Sequence, residues 1–207
     1  MKVHVAGIRE TPETKIVIDV TSRSSISWAR GLSPFHLGPI PLYDGMVSKN
    51  MENAWQYSKV YKPFINAEGE ISPEYQTWAK NGWNRERADR YPMGKGAIPE
   101  FSLWKGKRLE YIEAREQIYL PLYARSVVGT EAFRLLRETA MEHPVTLVDF
   151  DVHKSGTENL YATLKDPSKK FGHGFVLFGL LTGKISPEGK FIKQDKSVTH
   201  KTVLPSF

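Results

Sequence analysis

The longest apolar run constrains the fold most, because it is short. Residues 175–181 are apolar or glycine, far fewer than the roughly 20 residues that a helix needs to cross a bilayer. A run of this length indicates a buried helix or strand, and its periodicity does not decide between them. The chain opens without an extended hydrophobic segment, so we expect no signal peptide. A soluble, cytoplasmic protein without membrane contact is the prediction.

Composition favours a single domain over residues 1–207. Hydrophobic residues make up 40% of the chain and charged residues 25%, a balance that is typical of globular proteins. The chain has no cysteine, which excludes disulfides, thiolate-bound metals and a cysteine nucleophile. No G-x-G-x-x-G motif follows a strand, so a dinucleotide-binding oxidoreductase is disfavoured.

Positive charge is concentrated in two segments. Residues 80–108 carry a net charge of +5 and residues 184–207 a net charge of +3, whereas the whole chain carries +6. Aromatic residues interleave with the charges of the first segment, which suggests an anionic partner such as a phosphorylated small molecule or a nucleic acid. A solubilising surface explains the C-terminal hairpin and tail equally well.

Local patterns predict an α+β domain that is dominated by helices, with short peripheral strands. β-Branched runs predict strands near both ends of the chain, and caps and apolar spacing predict the helices. The predicted strands cover residues 2–5, 15–20 and 145–152, with a terminal hairpin at 185–192. The predicted helices are Met51–Tyr61 capped by Ser48 or Asn50, residues 107–126 interrupted at Pro121, and a helix capped by Thr130 that buries Ala132, Phe133, Leu136 and Ala140. A basic, irregular insertion is expected at about 60–92.

The first predicted helix carries a mixed set of side chains on one face. Helical spacing places Trp55, Gln56 and Lys59 on the same side as Glu52. That face offers an aromatic plane, an amide, a cation and a carboxylate, whereas a purely structural stripe would be apolar. An exposed polar face, with Glu52 complementing the helix dipole, is an equal alternative at this point.

The segment Met51–Val60 resembles the E-H-x-[FY]-Q-x-x-K-[FY] helix of the NADAR proteins, which have the YbiA-like fold. Six further segments resemble that family in order, and together they span about residues 28–183. They are Leu32–Phe35 with Pro39–Gly45, Met93–Lys95 with Pro99 and Trp104, Glu113–Tyr119, Phe133–Ala140, Leu147–Val148 and Gly172–Leu181. The chain departs from the family pattern at Pro34, Asn53 and Val176, and it inserts about 30 residues before Met93.

The resemblance implies an N-glycosidase that needs no cofactor. NADAR proteins cleave the bond between a base-like amine and ribose phosphate, through a cation that a carboxylate can stabilise. The implied substrate is an ADP-ribosylated base, with guanine in DNA preferred because of the basic segment, or a ribose-phosphate nucleotide intermediate. One alternative is an inactive nucleotide- or nucleic-acid-binding module. Another is a structural protein whose basic tail binds an acidic partner.

The resemblance also implies roles for individual residues. Glu52 would be the catalytic carboxylate, and the substrate-binding residues would be Phe35, Trp55, Gln56, Lys59, Lys95, Trp104, Gly172, His173 and Gly174. Phosphate would bind Lys95 and backbone amides of Gly94 or residues 172–174, and His173 is a candidate proton donor. A core position for Trp104 and a surface position for His173 are the preferred structural alternatives.

Two acidic residues of the last predicted strand form a further candidate group. Asp149 and Asp151 alternate along the strand and therefore face one side. They could bind ribose hydroxyls or a metal, although a half-solvated strand face is the preferred interpretation. His36 and His153 are also capable of binding metal, but the spacing of these four residues fits no known ligand pattern. We therefore expect no metal site.

Overall fold

Short strands and helices alternate along the chain. The computed structural model describes residues 1–192, which form one α+β domain with a main core and a smaller second one. The strands are β1 (Val3–Gly7), β2 (Ile16–Asp19), β3 (Ile40–Pro41), β4 (Val47–Ser48), β5 (Lys59–Val60), β6 (Phe101–Trp104), β7 (Lys107–Leu109) and β8 (Val145–Asp149). The α-helices are α1 (Met51–Gln56), α2 (Pro73–Trp83), α3 (Tyr111–Ala114), α4 (Leu120–Val127), α5 (Glu131–Glu142), α6 (Leu160–Lys165) and α7 (His173–Leu181).

The three strands β1, β8 and β2 form a parallel sheet with β8 in the middle. Val3 and Ile16 both pair with Val145, so the two outer strands share one register against β8. The three strands predicted near the ends of the chain are thus confirmed, although β1 ends two residues later than predicted and β2 and β8 are shorter than predicted. The expectation that the strands are peripheral is wrong for β8, because a strand with neighbours on both sides is buried.

Two helices that border the main core follow their local sequence signals. The Thr130 side chain accepts a hydrogen bond from Phe133 N at 3.2 Å and caps α5, and all four residues predicted for its inner face are buried. The apolar run at 175–181 forms α7, which is buried on nearly every side. A helix that is apolar all round must lie inside the protein, and α7 packs against β1, β8 and α4.

The helix predicted over residues 107–126 is built differently at both ends. Residues 107–109 form strand β7, and the helical segment starts only at Tyr111. Between α3 and α4, residues Arg115–Tyr119 form a π-helical turn. This wider turn ends just before Pro121, which lacks the N–H that a regular helix would use there. The predicted interruption therefore takes the form of a π turn ahead of the proline.

The insertion at 60–92 is not irregular throughout, as the sequence predicted. It contains α2, whose Tyr75, Ala79 and Trp83 pack against Tyr57 and Val60. We call these five residues the aromatic cluster. Rings at its edge add to the packing, such as Trp78, whose centroid lies 4.6 Å from that of Tyr57. The inserted segment thus has its own small core, which a pattern rich in proline, glycine and charge does not reveal.

The last described residues form the predicted turn. Ile185 pairs with Phe191 in an antiparallel bridge, which confirms a hairpin that starts at residue 185. Residues 193–207 of the predicted basic tail lie outside the described residues. Within residues 1–192, none of the helices has the length and apolar character needed to span a membrane.

Candidate functional site

A large cleft lies where α1, the end of β8 and the start of α7 meet. Its volume is about 830 Å³, within the range of small-molecule and cofactor sites. Seven of the ten residues implied by the resemblance line it, namely Phe35, Glu52, Trp55, Gln56, Lys59, Gly172 and His173. Cations from distant parts of the chain also line it, namely Arg23, Arg90, Arg115 and Lys170.

Helix α1 presents Glu52 to this cleft. Asn50 caps the helix by accepting a hydrogen bond from Asn53 N at 2.8 Å, which confirms one of the two predicted caps. The backbone N–H of Glu52 donates to the Pro34 carbonyl at 2.9 Å, which ties the helix to the preceding loop. The helix ends at Gln56 rather than at Tyr61 as predicted, so Lys59 lies on strand β5.

The four side chains predicted to share a face nevertheless meet. The Gln56 side-chain amide donates to Glu52 Oε1 at 2.9 Å, and Lys59 Nζ donates to Gln56 Oε1 at 2.7 Å. The Lys59 ammonium also lies 4.8 Å from the Trp55 ring centroid, within the range of a cation–π contact. Gln56 therefore bridges a carboxylate and a cation, because its amide group contains both a donor nitrogen and an acceptor oxygen.

Burial shifts the pKa of both charged groups at the ends of this bridge. Glu52 is only 8% exposed, and burial raises its pKa although Gln56, Lys59, Arg90 and His173 act in the opposite direction. The charges of the neighbouring cations favour the ionised form of Glu52, but the cost of desolvation outweighs them. Burial also lowers the pKa of Lys59 to about 8, with partial compensation from Glu52.

His173 and Asp149 form a buried pair on the floor of the cleft. Asp149 and His173 are 3% and 7% exposed, and His173 Nδ1 lies 3.2 Å from Asp149 Oδ2. His173 Nε2 lies 2.8 Å from the Val20 carbonyl oxygen, which can only accept, so Nε2 carries a proton. The preferred surface position of His173 and the half-solvated strand face of Asp149 are therefore both wrong. Both ring nitrogens therefore have protein partners, and the ring is held against Asp149 where it lines the cleft.

The two glycines around His173 are required by close approach to β8. A Cβ at position 172 would lie 2.6 Å from Asp149 Oδ2, and one at 174 would lie 2.9 Å from Val152 Cγ1. Their amides are already used, since Gly174 N donates to Asp149 Oδ2 at 3.1 Å and Gly172 N donates to the Asp151 carbonyl at 2.9 Å. The idea that these amides bind phosphate is thus wrong, because a carboxylate occupies the start of α7. Gly174 does not line the cleft.

Two further predicted ligands, Lys95 and Trp104, lie outside the cleft lining. Lys95 is exposed between Gly94 and Gly96, which do line it, and the Gly94 amide donates to the Tyr91 carbonyl. Trp104 is 7% exposed in the main core, where its ring lies edge-on to Tyr43 at 4.7 Å. The core alternative for Trp104 is therefore the correct one. The positions of these two motifs along the sequence do not indicate which of their side chains point into the cleft.

An acidic residue organises the cations at the mouth of the cleft. Asp151 accepts from Arg90 at 3.1 Å through one carboxylate oxygen and from Lys170 at 2.9 Å through the other. The charge excess of residues 80–108 pointed to Arg90, whereas no sequence signal marks Lys170. Arg115 is 2% exposed and donates to the backbone carbonyls of Leu164, Asp166 and Lys169, so it holds that loop against the helix.

Asn53 connects the inserted segment to the cleft. This residue, where the NADAR pattern has histidine, is fully buried. Its side-chain amide donates to the carbonyls of Arg85 and Arg87 at 3.0 and 3.1 Å, and its carbonyl accepts from Asp89 N at 2.8 Å. Asparagine in place of histidine therefore suits the insertion, because the Asn53 amide hydrogen-bonds to the inserted backbone that leads to Arg90.

Metal-capable side chains are scattered rather than gathered. Within residues 1–192, no three histidine, aspartate or glutamate side chains come close enough to hold a metal ion together. His153, which the sequence grouped with Asp149 and Asp151, instead packs edge-on against Phe175 with centroids 5.3 Å apart.

Comparison with known proteins gives a family but no activity. A family model described as a family of unknown function (DUF6939) matches residues 2–165. The chain belongs to the DUF6939 family. The matched region contains the Glu52 helix, Asp149 of β8 and Asp151, which lies in the turn after β8 rather than on the strand as predicted. It ends before the G-H-G segment that begins α7. No curated protein and no solved structure matches the chain.

Proposed function

We propose that this DUF6939 protein hydrolyses an N-glycosidic bond in an ADP-ribosylated base or a ribose-phosphate nucleotide, with Glu52 as the catalytic carboxylate. The observation that carries the proposal is the position of Glu52, a buried carboxyl group that lines a cleft next to Lys59 and Arg90. The NADAR-like order of motifs around this helix supports the same chemistry.

Cleavage of an N-glycosidic bond passes through a cation on the ribose ring. An ionised carboxylate beside that carbon stabilises the charge and can take a proton from the attacking water. The raised pKa of Glu52 makes its carboxylate a stronger base than an exposed glutamate. Gln56 donates to one carboxylate oxygen and fixes the group in place. Activity should therefore decline on the acid side at a higher pH than an ordinary glutamate would give.

The remaining lining suits a nucleotide. Arg23, Arg90 and Lys170 bring positive charge to the mouth of the cleft, where a diphosphate would be attracted. The rings of Phe35 and Trp55 line the wall near Glu52, and aromatic faces of this kind stack on bases. In this arrangement the phosphates lie at the mouth and the ribose carbon lies near Glu52.

We propose ADP-ribosylated guanine in DNA as the preferred substrate, because the inserted segment carries exposed cations. Arg85 and Arg87 are exposed next to Arg90 on the segment that Asn53 anchors. Exposed cations beside the cleft would add contacts to a nucleic-acid backbone that a free nucleotide lacks. A nucleotide substrate without DNA is the competing member of the same class.

A catalytically inactive nucleotide- or nucleic-acid-binding module is the second candidate. The observation that favours it is the raised pKa of Glu52, since burial reduces the fraction of ionised carboxylate that catalysis would need. This candidate predicts binding through the same cations without any turnover.

Product analysis separates these possibilities. The purified protein would be incubated with ADP-ribosylated guanosine and with an oligonucleotide that carries the same modification, and the released ADP-ribose would be measured by chromatography. We expect release from both substrates, with faster release from the oligonucleotide at low salt. Binding of both substrates without release would favour the inactive module, and neither binding nor release would contradict both candidates.

A further inference from the structure

Tyr119 is a buried residue of the cleft that takes no part in the reaction proposed above. It ends the π-helical turn Arg115–Tyr119, a kind of local irregularity that is frequent at functional sites. The side chain is 8% exposed and lines the cleft. Its ring is held by Trp55, edge-on at 5.4 Å, and by Tyr123, stacked at 6.3 Å. The hydroxyl therefore has a fixed position.

The Tyr119 hydroxyl differs from its neighbour one turn later in its hydrogen bonding. Tyr123 donates to the Leu32 carbonyl at 2.6 Å. The Tyr119 hydroxyl makes no hydrogen bond to any atom of residues 1–192, and it is not among the fully buried polar atoms that lack a partner, so a molecule in the cleft can reach it. The free donor points to a ligand that supplies the acceptor.

We propose that Tyr119 donates a hydrogen bond to a ribose hydroxyl of the bound substrate, an assignment that rests on the proposed function. Glu52 and Asp149 lie close enough to Tyr119 to act on it electrostatically. Glu52 lines the same cleft as Tyr119, so a ligand group that accepts from the phenol and also donates to the Glu52 carboxylate would satisfy both. A hydroxyl does both, whereas a phosphate oxygen only accepts and would be repelled by the carboxylates.

The charge state of Tyr119 agrees with this role. Burial, and then the charge of Asp149, raise the pKa of Tyr119 well above its usual range. The phenol therefore stays protonated and remains a donor at neutral pH. Loss of the hydroxyl should leave the free protein intact, because no protein partner within residues 1–192 loses a bond.

Two phenylalanine variants on the same helical segment test the assignment. We expect Tyr119→Phe to keep or raise the Tm and to weaken the binding of ADP-ribose about 3- to 10-fold, the worth of one hydrogen bond. Tyr123→Phe should lower the Tm and leave the Kd for ADP-ribose within about twofold, since its hydroxyl serves the protein. Calorimetric titration and thermal melts measure both quantities.

Several results would overturn the assignment. An unchanged Kd for ADP-ribose in Tyr119→Phe would do so, as would a Tm that falls as in Tyr123→Phe, or a wild-type protein that does not bind ADP-ribose. An equal loss of affinity for inorganic pyrophosphate would assign the phenol to phosphate instead. Release of ADP-ribose from ADP-ribosylated guanosine reports on the proposed function separately. If the wild type releases ADP-ribose and Tyr119→Phe binds ADP-ribose as the wild type does, only the assignment of Tyr119 is wrong. If Tyr119→Phe binds ADP-ribose more weakly but the wild type releases none from the substrate, only the hydrolase proposal is wrong.

Discussion

The aromatic cluster and the cleft share the short segment from Glu52 to Val60, and they bury different kinds of side chain. In the aromatic cluster, the Tyr75 hydroxyl donates to the Tyr57 carbonyl at 3.1 Å, whereas the buried Trp83 Nε1 has no partner within residues 1–192. The polar groups that this cluster buries are neutral, and burial raises the pKa of Tyr57 to about 12. In the cleft, burial moves the pKa of Glu52 and Lys59 away from their usual ranges, in opposite directions. It also leaves the Tyr119 hydroxyl without a partner among residues 1–192.

This difference separates stability from function along one stretch of chain. Neutral side chains that are buried against one another lower the free energy of the folded state, whereas buried acidic and basic groups with shifted pKa values are typical of functional sites. Substitutions in the aromatic cluster should therefore change the free energy of unfolding, and substitutions in the cleft should change ligand binding and rate. Asn53 joins the two regions and should affect both.

The largest loss of stability is expected for Trp83→Ala in the aromatic cluster. Trp83 is 4% exposed and packs edge-on against Tyr43 at 6.3 Å. Truncation of a buried tryptophan costs about 3 to 5 kcal/mol, which urea unfolding would measure. Lys62→Ala, at an exposed position near β5, serves as a control, and we expect it to change the free energy of unfolding by less than about 0.5 kcal/mol. A loss below about 1 kcal/mol for Trp83→Ala would show that the cluster adds little to the fold.

Asn53→Ala should give a smaller loss of stability together with weaker ligand binding. It removes three hydrogen bonds to the backbone of residues 85–89, and unpaired buried backbone groups cost about 1 to 3 kcal/mol. We also expect weaker binding of ADP-ribose, because this backbone leads to Arg90. Asn159→Ala removes one exposed cap of α6 and should cost about 1 kcal/mol without any change in binding. Equal binding by both variants would break the link between the insertion and the cleft.

The smallest effect is a pH dependence of stability from Lys59. The pKa of Lys59 is lowered from 10.5 to about 8 in the folded protein, so the unfolded chain binds more protons between these values. Stability should therefore rise with pH over this window, and the cost of burying the charged amine is fully present below about pH 8. Urea unfolding at pH 7.5 and pH 9.5 should show this rise in the wild type and a smaller one in Lys59→Met. Equal changes in the two proteins would mean that Lys59 titrates as an exposed lysine.

Features encoded in a few adjacent residues could be predicted from the sequence. The Asn50 and Thr130 caps and the buried face of α5 are examples, because capping and helical spacing act over one or two turns. The chemical set on α1 was also predictable, although the helix ends three residues before Lys59. There the extended β5 strand still carries Lys59 back to Gln56.

Features that depend on distant segments could not be predicted. His173 meets Asp149 and Val20 only because α7 packs on the parallel sheet, and no local pattern distinguishes it from a surface histidine. Trp104 faces the main core because β6 pairs between β5 and β7. The lack of a hydrogen-bond partner for the Tyr119 hydroxyl within residues 1–192 also depends on distant segments, so no local pattern predicts it.

Glu52→Gln is the most direct test of the proposal that the Glu52 carboxylate catalyses hydrolysis of the N-glycosidic bond. The amide keeps the volume and an acceptor for Gln56, so we expect a change in unfolding free energy of no more than about 1 kcal/mol. It cannot carry negative charge or take a proton from water, which typically costs about 10² to 10⁴ in rate.

The measurement is the rate of ADP-ribose release from ADP-ribosylated guanosine by wild type, by Glu52→Gln and by the exposed control Glu68→Gln, with thermal melts of all three. We expect Glu52→Gln to be folded, to bind the substrate and to release ADP-ribose at least about 100-fold more slowly than the control. A folded Glu52→Gln protein that turns over at the wild-type rate would show that Glu52 is not the catalytic carboxylate.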